Sequence, residues 1–494
     1  KSEWDAAARS TLGRVVKRLQ DPRVRQRFIT FAFQILQAST QRCAKTSGHI
    51  SGDQDAKFYD EAVHLLLLGV TDLWSVIRKD CAKTAAAIAF NFSSRGHIEQ
   101  FIDSLLCVAI GSRSVSADKS QVTAWTEREG ALLALSVLLR SIQMESTGDK
   151  SVGEGDLKVS QVKDDIKGIL GARHVAAVEY RLGSNHTLTQ LPRCLVQTLK
   201  PAIYQCLRHD QLSVRQLAAQ CLVEYASLCE EPTRLLIFQE VISKLNRINR
   251  NDKVEIDSAT DSELLDAFEA EGLLDVLARM APCLPSSFLL KHWKFVFPTL
   301  EKYVMHIASS VRQKSSTVVL ALAKQYSRSH GLPVSREASL RLVIQMLLSL
   351  SEPRSDESEF CWQRKEGRLL SIDVLINPES TLIHQRRSGS LSAVRSFLWA
   401  HDQAQSATWN GGQNGLPSSS DAFWQQVMSG CVAQMKEAFE SSQFELRRIS
   451  RQVLPGLMRV VIWTEQLAFL TSTELENSSP ETAWPWSCLK YLLL

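Results

Sequence analysis

LSVRQLAAQCLVEYA at 212–226 and SSVRQKSSTVVLALA at 309–323 open alike. Each begins with small or polar residues, sets a valine directly before an arginine, and continues with apolar residues every three or four positions, the spacing of one helical face. Related openings return as DPRVRQRF at 21–28, DLWSVIRKDCAKTAAAIA at 72–89, AWTEREGALLALSVLL at 124–139, CWQRKEGRLLSIDVL at 361–375 and FELRRISRQVLPGLM at 444–458. Anchored on Arg25, Arg78, Arg128, Arg215, Arg312, Lys365 and Arg447, the copies lie 53, 50, 87, 97, 53 and 82 residues apart. Halving the three long intervals gives about 44, 48 and 41, the range of two-helix repeats. A unit of that size cannot cover its own apolar stripe, so each copy stacks on the next.

The D-P-x-V-R element at Asp21 to Arg25, the S-V-R-Q of Ser213–Gln216 and Ser310–Gln313, and the Ala-rich helices behind them resemble HEAT and armadillo repeats. The resemblance implies an all-α fold, a right-handed α-solenoid of antiparallel helix pairs. It also implies that Asp21, Arg25, Arg78, Arg215 and Arg312 hold successive repeats in register through hydrogen bonds, while small residues let helices approach closely. No anchor stands near 170, 265 or 405, so units there rest on the period alone. Trp125–Leu138 and Trp362–Leu375 align as W-x-x-[RK]-E-G-x-L-L-[AS]-[LI]-x-V-L, 237 residues apart. Duplication and a shared answer to one packing problem both account for this.

Composition excludes several classes. Hydrophobic residues are 44% and charged residues 22% of the 494, as in an ordinary folded protein. Glycine (22) and proline (14) fall below the usual share of about 7% and 5%, which argues against a turn-rich β fold. The net charge of +4 points to no nucleic-acid or membrane partner by itself, and the longest apolar runs fall short of the ~18 residues of a membrane span. Eleven cysteines, an odd number without CxxC spacing, read as free thiols in a reducing compartment. The expected location is the cytoplasm, with the nucleus as the alternative. The start at Lys1 and the apolar end CLKYLLL read as a fragment of a longer protein.

Polar breaks at 46–55, 111–121, 144–158, 249–262, 351–359, 378–392 and 402–421 divide the helical pattern. The expected organisation is an N-terminal array over 1–250, an acidic segment at 251–262, and a C-terminal array over 263–494 with a loop at 402–421. Residues 251–271 hold eight acids and one lysine, read as a solvated face or a hinge.

Catalytic spacing is absent: there is no G-x-x-x-x-G-K-[ST], G-x-G-x-x-G, H-E-x-x-H or G-x-S-x-G. The H-x-E at His97–Glu99 lacks the P-C-x-x-C that a zinc deaminase needs, and the acids from Asp252 to Glu263 lack the glycine and spaced glutamate of a calcium loop. No catalytic, cofactor or metal site is expected. Two basic clusters are candidate partner surfaces: Arg14, Lys17 and Arg18, running on to Arg27, and Lys244, Arg247 and Arg250 at helical spacing.

The expected function is therefore a non-enzymatic scaffold that binds other proteins along a concave helical surface. One alternative is a tubulin-binding regulator, because in HEAT arrays that bind tubulin Trp and basic residues stand in turns, as Trp74, Trp125 with Arg128, and Trp362 with Lys365 could here. The Glu-Gly that follows Arg128 and Lys365 instead suits close helix packing. The other alternative is a regulatory subunit of a nucleic-acid-modifying complex, using the basic clusters.

Overall fold

The computed structural model describes residues 21–46, 52–89, 95–112, 121–148, 193–248, 261–327, 362–376, 430 and 433–454. Their regular structure is helical, with no strand among the described residues. In chain order the helices are α1 (Pro22–Thr46), α2 (Gly52–Val70), α3 (Ser75–Ala89), α4 (Arg95–Ala109), α5 (Gln121–Gly148), α6 (Arg193–Cys206) and α7 (Leu212–Leu228). They continue as α8 (Glu231–Ile248), α9 (Asp261–Met280), a 3-10 turn (Ala281–Cys283), α10 (Ser286–Val304), α11 (Ser309–Ser327) and α12 (Trp362–Ile376). Two further helical stretches, α13 and α14, cover 433–440 and 444–454.

Packing divides the chain into two units, Lys1–Ile237 with Leu264–Gly272, and Phe238–Glu263 with Leu273–Leu494. The division runs through α8 and α9. The sequence reading put the boundary at 251–262, of which 251–260 lie outside the described residues. The loop at 402–421 lies outside them too.

In the first unit α3 packs on α5 and α5 on α7, while α2, α4 and α6 pack in a second row. The α3 sequence explains its place: Ala82, Ala85, Ala86 and Ala89 are buried, and such short side chains let the α5 backbone come close. Leu132, Leu135, Leu138 and Leu139 of α5 are fully covered, and each contributes roughly 1.5–3 kcal/mol by leaving water. α1 starts where Asp21 accepts the Arg23 N–H at 2.8 Å, with Pro22 as its first residue. Proline suits that position because its missing N–H has no helical partner there.

In the second unit α10 packs on α11 and α11 on α12. The Tyr303 hydroxyl donates to the Leu245 carbonyl at 2.6 Å, which satisfies a phenol otherwise lost in the core. Several polar breaks are shorter than expected: α2 begins at Gly52, inside 46–55, α5 runs to Gly148, inside 144–158, and α9 begins at Asp261, inside 249–262.

Candidate functional site

Four arginines share one local geometry. Arg78 Nη1 donates to the carbonyls of Asp72 (2.8 Å) and Leu73 (2.7 Å). Arg215 Nη1 donates to those of His209 and Asp210, both at 2.7 Å. Arg312 Nη1 donates to His306 (2.8 Å) and Ile307 (2.5 Å), and Arg447 Nη1 to Ser441 and Ser442, both at 2.7 Å. In each case the acceptors stand six and five residues before the arginine. The turn ahead of a helix has carbonyls without helical partners, and the guanidinium supplies two bonds from one nitrogen.

The residue six before the arginine also closes the turn with its side chain. Asp72 Oδ1 accepts the Trp74 N–H, His209 Nδ1 the Gln211 N–H, His306 Nδ1 the Ala308 N–H and Ser441 Oγ the Gln443 N–H, all at 3.0–3.1 Å. His306 therefore acts as a neutral acceptor, while His209 Nδ1 also stands 2.8 Å from Asp210 Oδ1. Burial, reinforced by the Arg312 guanidinium, pushes His306 down to about 4 from the ordinary 6.5. Burial also lowers His209, against the opposing pull of Asp210 beside its ring.

The other end of three of these arginines reaches across to a different helix. Arg78 Nη2 donates to Glu129, Arg215 Nη2 to Glu271 at 2.8 Å, and Arg312 Nη2 to Glu366. A glycine follows each glutamate. A Cβ on Gly130, Gly272 or Gly367 would stand 1.8, 2.6 or 1.7 Å from the carbonyl oxygen of Val70, Leu207 or Val304, which in each case is eight residues before the arginine. One arginine thus ties a turn, its own helix and the facing helix together, and the glycine sets how near that helix comes. Arg215 also lies 4.6 Å over the Phe268 ring and Arg312 5.8 Å over the Trp362 ring, cation–π contacts within the useful range of about 6 Å.

The single anchor read from the sequence is therefore two motifs. Arg78, Arg215, Arg312 and Arg447 belong to the turn. Arg128 and Lys365 stand one residue before the glutamates of the facing helices, so they are not equivalent to the other anchors. Asp21 caps α1, and Arg25 bonds Asp72 through Nε, on the carboxylate that also closes the next turn. Glu271–Gly272, in the stretch read as a solvated acidic face or hinge, is the third glutamate–glycine pair; Glu269 beside it accepts Arg208 at 3.0 Å.

The partner candidates are placed as follows. Trp362 covers Arg312, and the Lys365 side chain, mostly buried, pairs with Glu437. Trp125 and Arg128 are half-buried, and Arg128 Nη2 lies where a side chain on Gly111 would begin. Lys244 is half-buried and Arg247 exposed on α8. Arg14, Lys17, Arg18 and Arg250 lie outside the described residues.

Among the described residues, Phe31, Leu236 and Phe295 are exposed large apolar side chains away from the arginines, and the other seven stand just before one. Leu73, Trp74 (46% exposed) and Val76 precede Arg78, Leu212 precedes Arg215, Ile307 (65%) precedes Arg312, Phe444 (64%) precedes Arg447 and Val24 precedes Arg25. All fall within five residues of the arginine. The sequence shows these residues but not their exposure, because the same apolar types at helical spacing also make the core.

No group of three His, Cys, Asp or Glu among the described residues is placed to hold a metal ion. Cys81, Cys206 and Cys221 are buried free thiols, and burial raises all three, Cys206 to about 12. Cys221 Sγ donates to the Leu132 carbonyl at 3.2 Å, joining α7 to α5. No described helix is long and apolar enough to cross a membrane.

No protein-family model and no curated protein sequence matches the chain. Among solved structures it is similar to an engineered protein (13% identity, 72% of this chain and 98% of the other, TM-score 0.25). It is also similar to a designed armadillo repeat protein (10% identity, 72% and 99%, TM-score 0.23), and to importin beta (11% identity, 91% and 69%, TM-score 0.22). At these scores the helical-repeat fold rests on the chain's own recurrence: a turn-binding arginine paired with a glutamate–glycine on the facing helix.

Proposed function

We propose that the chain is a non-enzymatic helical-repeat scaffold that binds other proteins through its arginine-fixed turns. The observation that carries this reading is the concentration of exposed apolar side chains at those turns, with Trp74 between Leu73 and nearby Val76 as the largest group. Burial of such side chains is the main favourable term in protein association, and Trp is enriched among the residues that dominate interfaces. Rigid turns keep the ordering cost of binding low. The buried free thiols support a reducing compartment, cytoplasm or nucleus.

Affinity capture with the intact chain, compared with a Leu73→Asp, Trp74→Asp double variant, tests this. The expected result is loss of captured proteins at an unchanged melting temperature. The same proteins captured by both chains contradicts it, as does turnover of a nucleotide, ester or peptide by the purified protein. Exposed Trp74 favours tubulin as one defined partner, and co-sedimentation with tubulin, abolished by the same variant, identifies that case.

A further inference from the structure

Two bonds set the start of α1 against the α2–α3 turn and the helix behind it. Arg25 Nε donates to the buried Asp72 carboxylate at 2.5 Å, and Gln26 Nε2 to Asp80 of α3 at 2.8 Å. Asp21, the one other acid of residues 21–28 and 71–80, accepts the Arg23 and Val24 N–H groups. All three acids thus already hold chain groups in place. The cations differ. Arg25 and Arg78 are engaged, while Arg23, Arg27 and Lys79 are exposed and their side chains bond nothing among the described residues. Leu73, Trp74 and Val76 (59%) stand exposed at the same turn. The stacking of helix pairs leaves such edges open: α7 lies between α5 and α9, and α11 between α9 and α12, yet Leu212 and Ile307 at their turns are exposed as well. Charge does not favour cover by the adjoining sequence either, because residues 1–20 and 47–51 hold five Lys or Arg and two acids.

We propose that this surface docks an acidic segment of a partner protein, one in which Asp or Glu alternates with apolar residues. Its carboxylates meet Arg23, Arg27 and Lys79, and its apolar side chains cover Leu73, Trp74 and Val76. Two features select that occupant. Exposed cations without partners, beside acids whose oxygens already accept bonds, set the sign of the partner's charge. Exposed aliphatic and indole surface is covered favourably by apolar side chains, which a phosphate backbone does not offer. The two fastening bonds hold both groups in place before binding, which lowers the ordering cost. The proposal deepens the protein-binding reading above and rests on it.

The probe is a fluorescent peptide in which Glu alternates with Leu and Trp, and its control carries Gln for every Glu. Anisotropy titrations use the full chain, an Arg23→Gln, Arg27→Gln, Lys79→Gln triple variant, and the Leu73→Asp, Trp74→Asp variant. The three cations are exposed and bond nothing in the described fold, so the triple variant keeps the parent's melting temperature. The expected result is saturable binding by the full chain, weakened about tenfold or more by either variant, by the control peptide and by salt at about 0.5 M. Absence of binding, including through cover of the surface by the chain itself, overturns the proposal. So does binding that the triple variant leaves unchanged, or an oligonucleotide that binds through the three cations where the peptide does not. Proteins captured by the full chain, lost with Leu73→Asp, Trp74→Asp but kept by the triple variant, overturn this inference and leave the protein-binding reading standing.

Discussion

Gly130 abuts the carbonyl oxygen of Val70 so closely that a methyl group there would stand 1.8 Å from it. Glycine inside a helix ordinarily costs about 1 kcal/mol relative to alanine. At this position the sign reverses, because the obstructing atom is backbone and cannot swing aside. Gly130→Ala and Gly367→Ala are expected to destabilise by about 3 kcal/mol or more, and Gly272→Ala, where the gap is 2.6 Å, by less. Urea melts rank them; equal or raised stability for all three refutes the close approach.

Acid should loosen the Arg312 turn. His306 is held at about 4 in the folded chain against about 6.5 unfolded, so the unfolded state takes up the proton first as pH falls. Stability from this residue is complete above pH 6.5 and declines between about 6.5 and 4. His306→Ser borrows the acceptor used at Ser441 and removes the titration. Its stability profile should run flatter than the parent's between pH 6.5 and 4.5, and parallel profiles contradict the assignment.

Thiol labelling at pH 8 should separate the cysteines by burial. Cys81, Cys206 and Cys221 stay unmodified in the folded chain, since burial suppresses the reactive thiolate. Exposed Cys283 reacts within the native state. In urea all four label. Rapid native labelling of Cys221 means that α5 and α7 separate more readily than their packing implies.

The arginine turns were legible in the sequence because Val-Arg or Ile-Arg before an Ala-rich helix leaves a fixed signature at 78, 215 and 312. The glutamate partners were not, for two physical reasons. Arg128 and Lys365 put a cation beside the glutamate that matters, so a search for basic anchors stops one residue short. Glu271–Gly272 carries no such cation and was absorbed into an acidic stretch. The usable signal is a Glu-Gly dipeptide 51 to 56 residues after the arginine. The residue that closes each turn escapes any motif, since Asp72, His209, His306 and Ser441 share only an acceptor lone pair.

Both side chains of the Arg312–Glu366 pair are almost fully buried, so removing either partner leaves a charge uncompensated, at a cost of roughly 3–5 kcal/mol. A double-mutant cycle with Arg312→Met and Glu366→Leu, read by denaturant unfolding, measures whether this link joins neighbouring repeats. A coupling of about 2 kcal/mol or more, with the double variant far more stable than the sum of the singles predicts, is the expected result. Additive losses, within about 0.5 kcal/mol, would mean that the two residues do not act as a pair, and the lock between repeats would not exist.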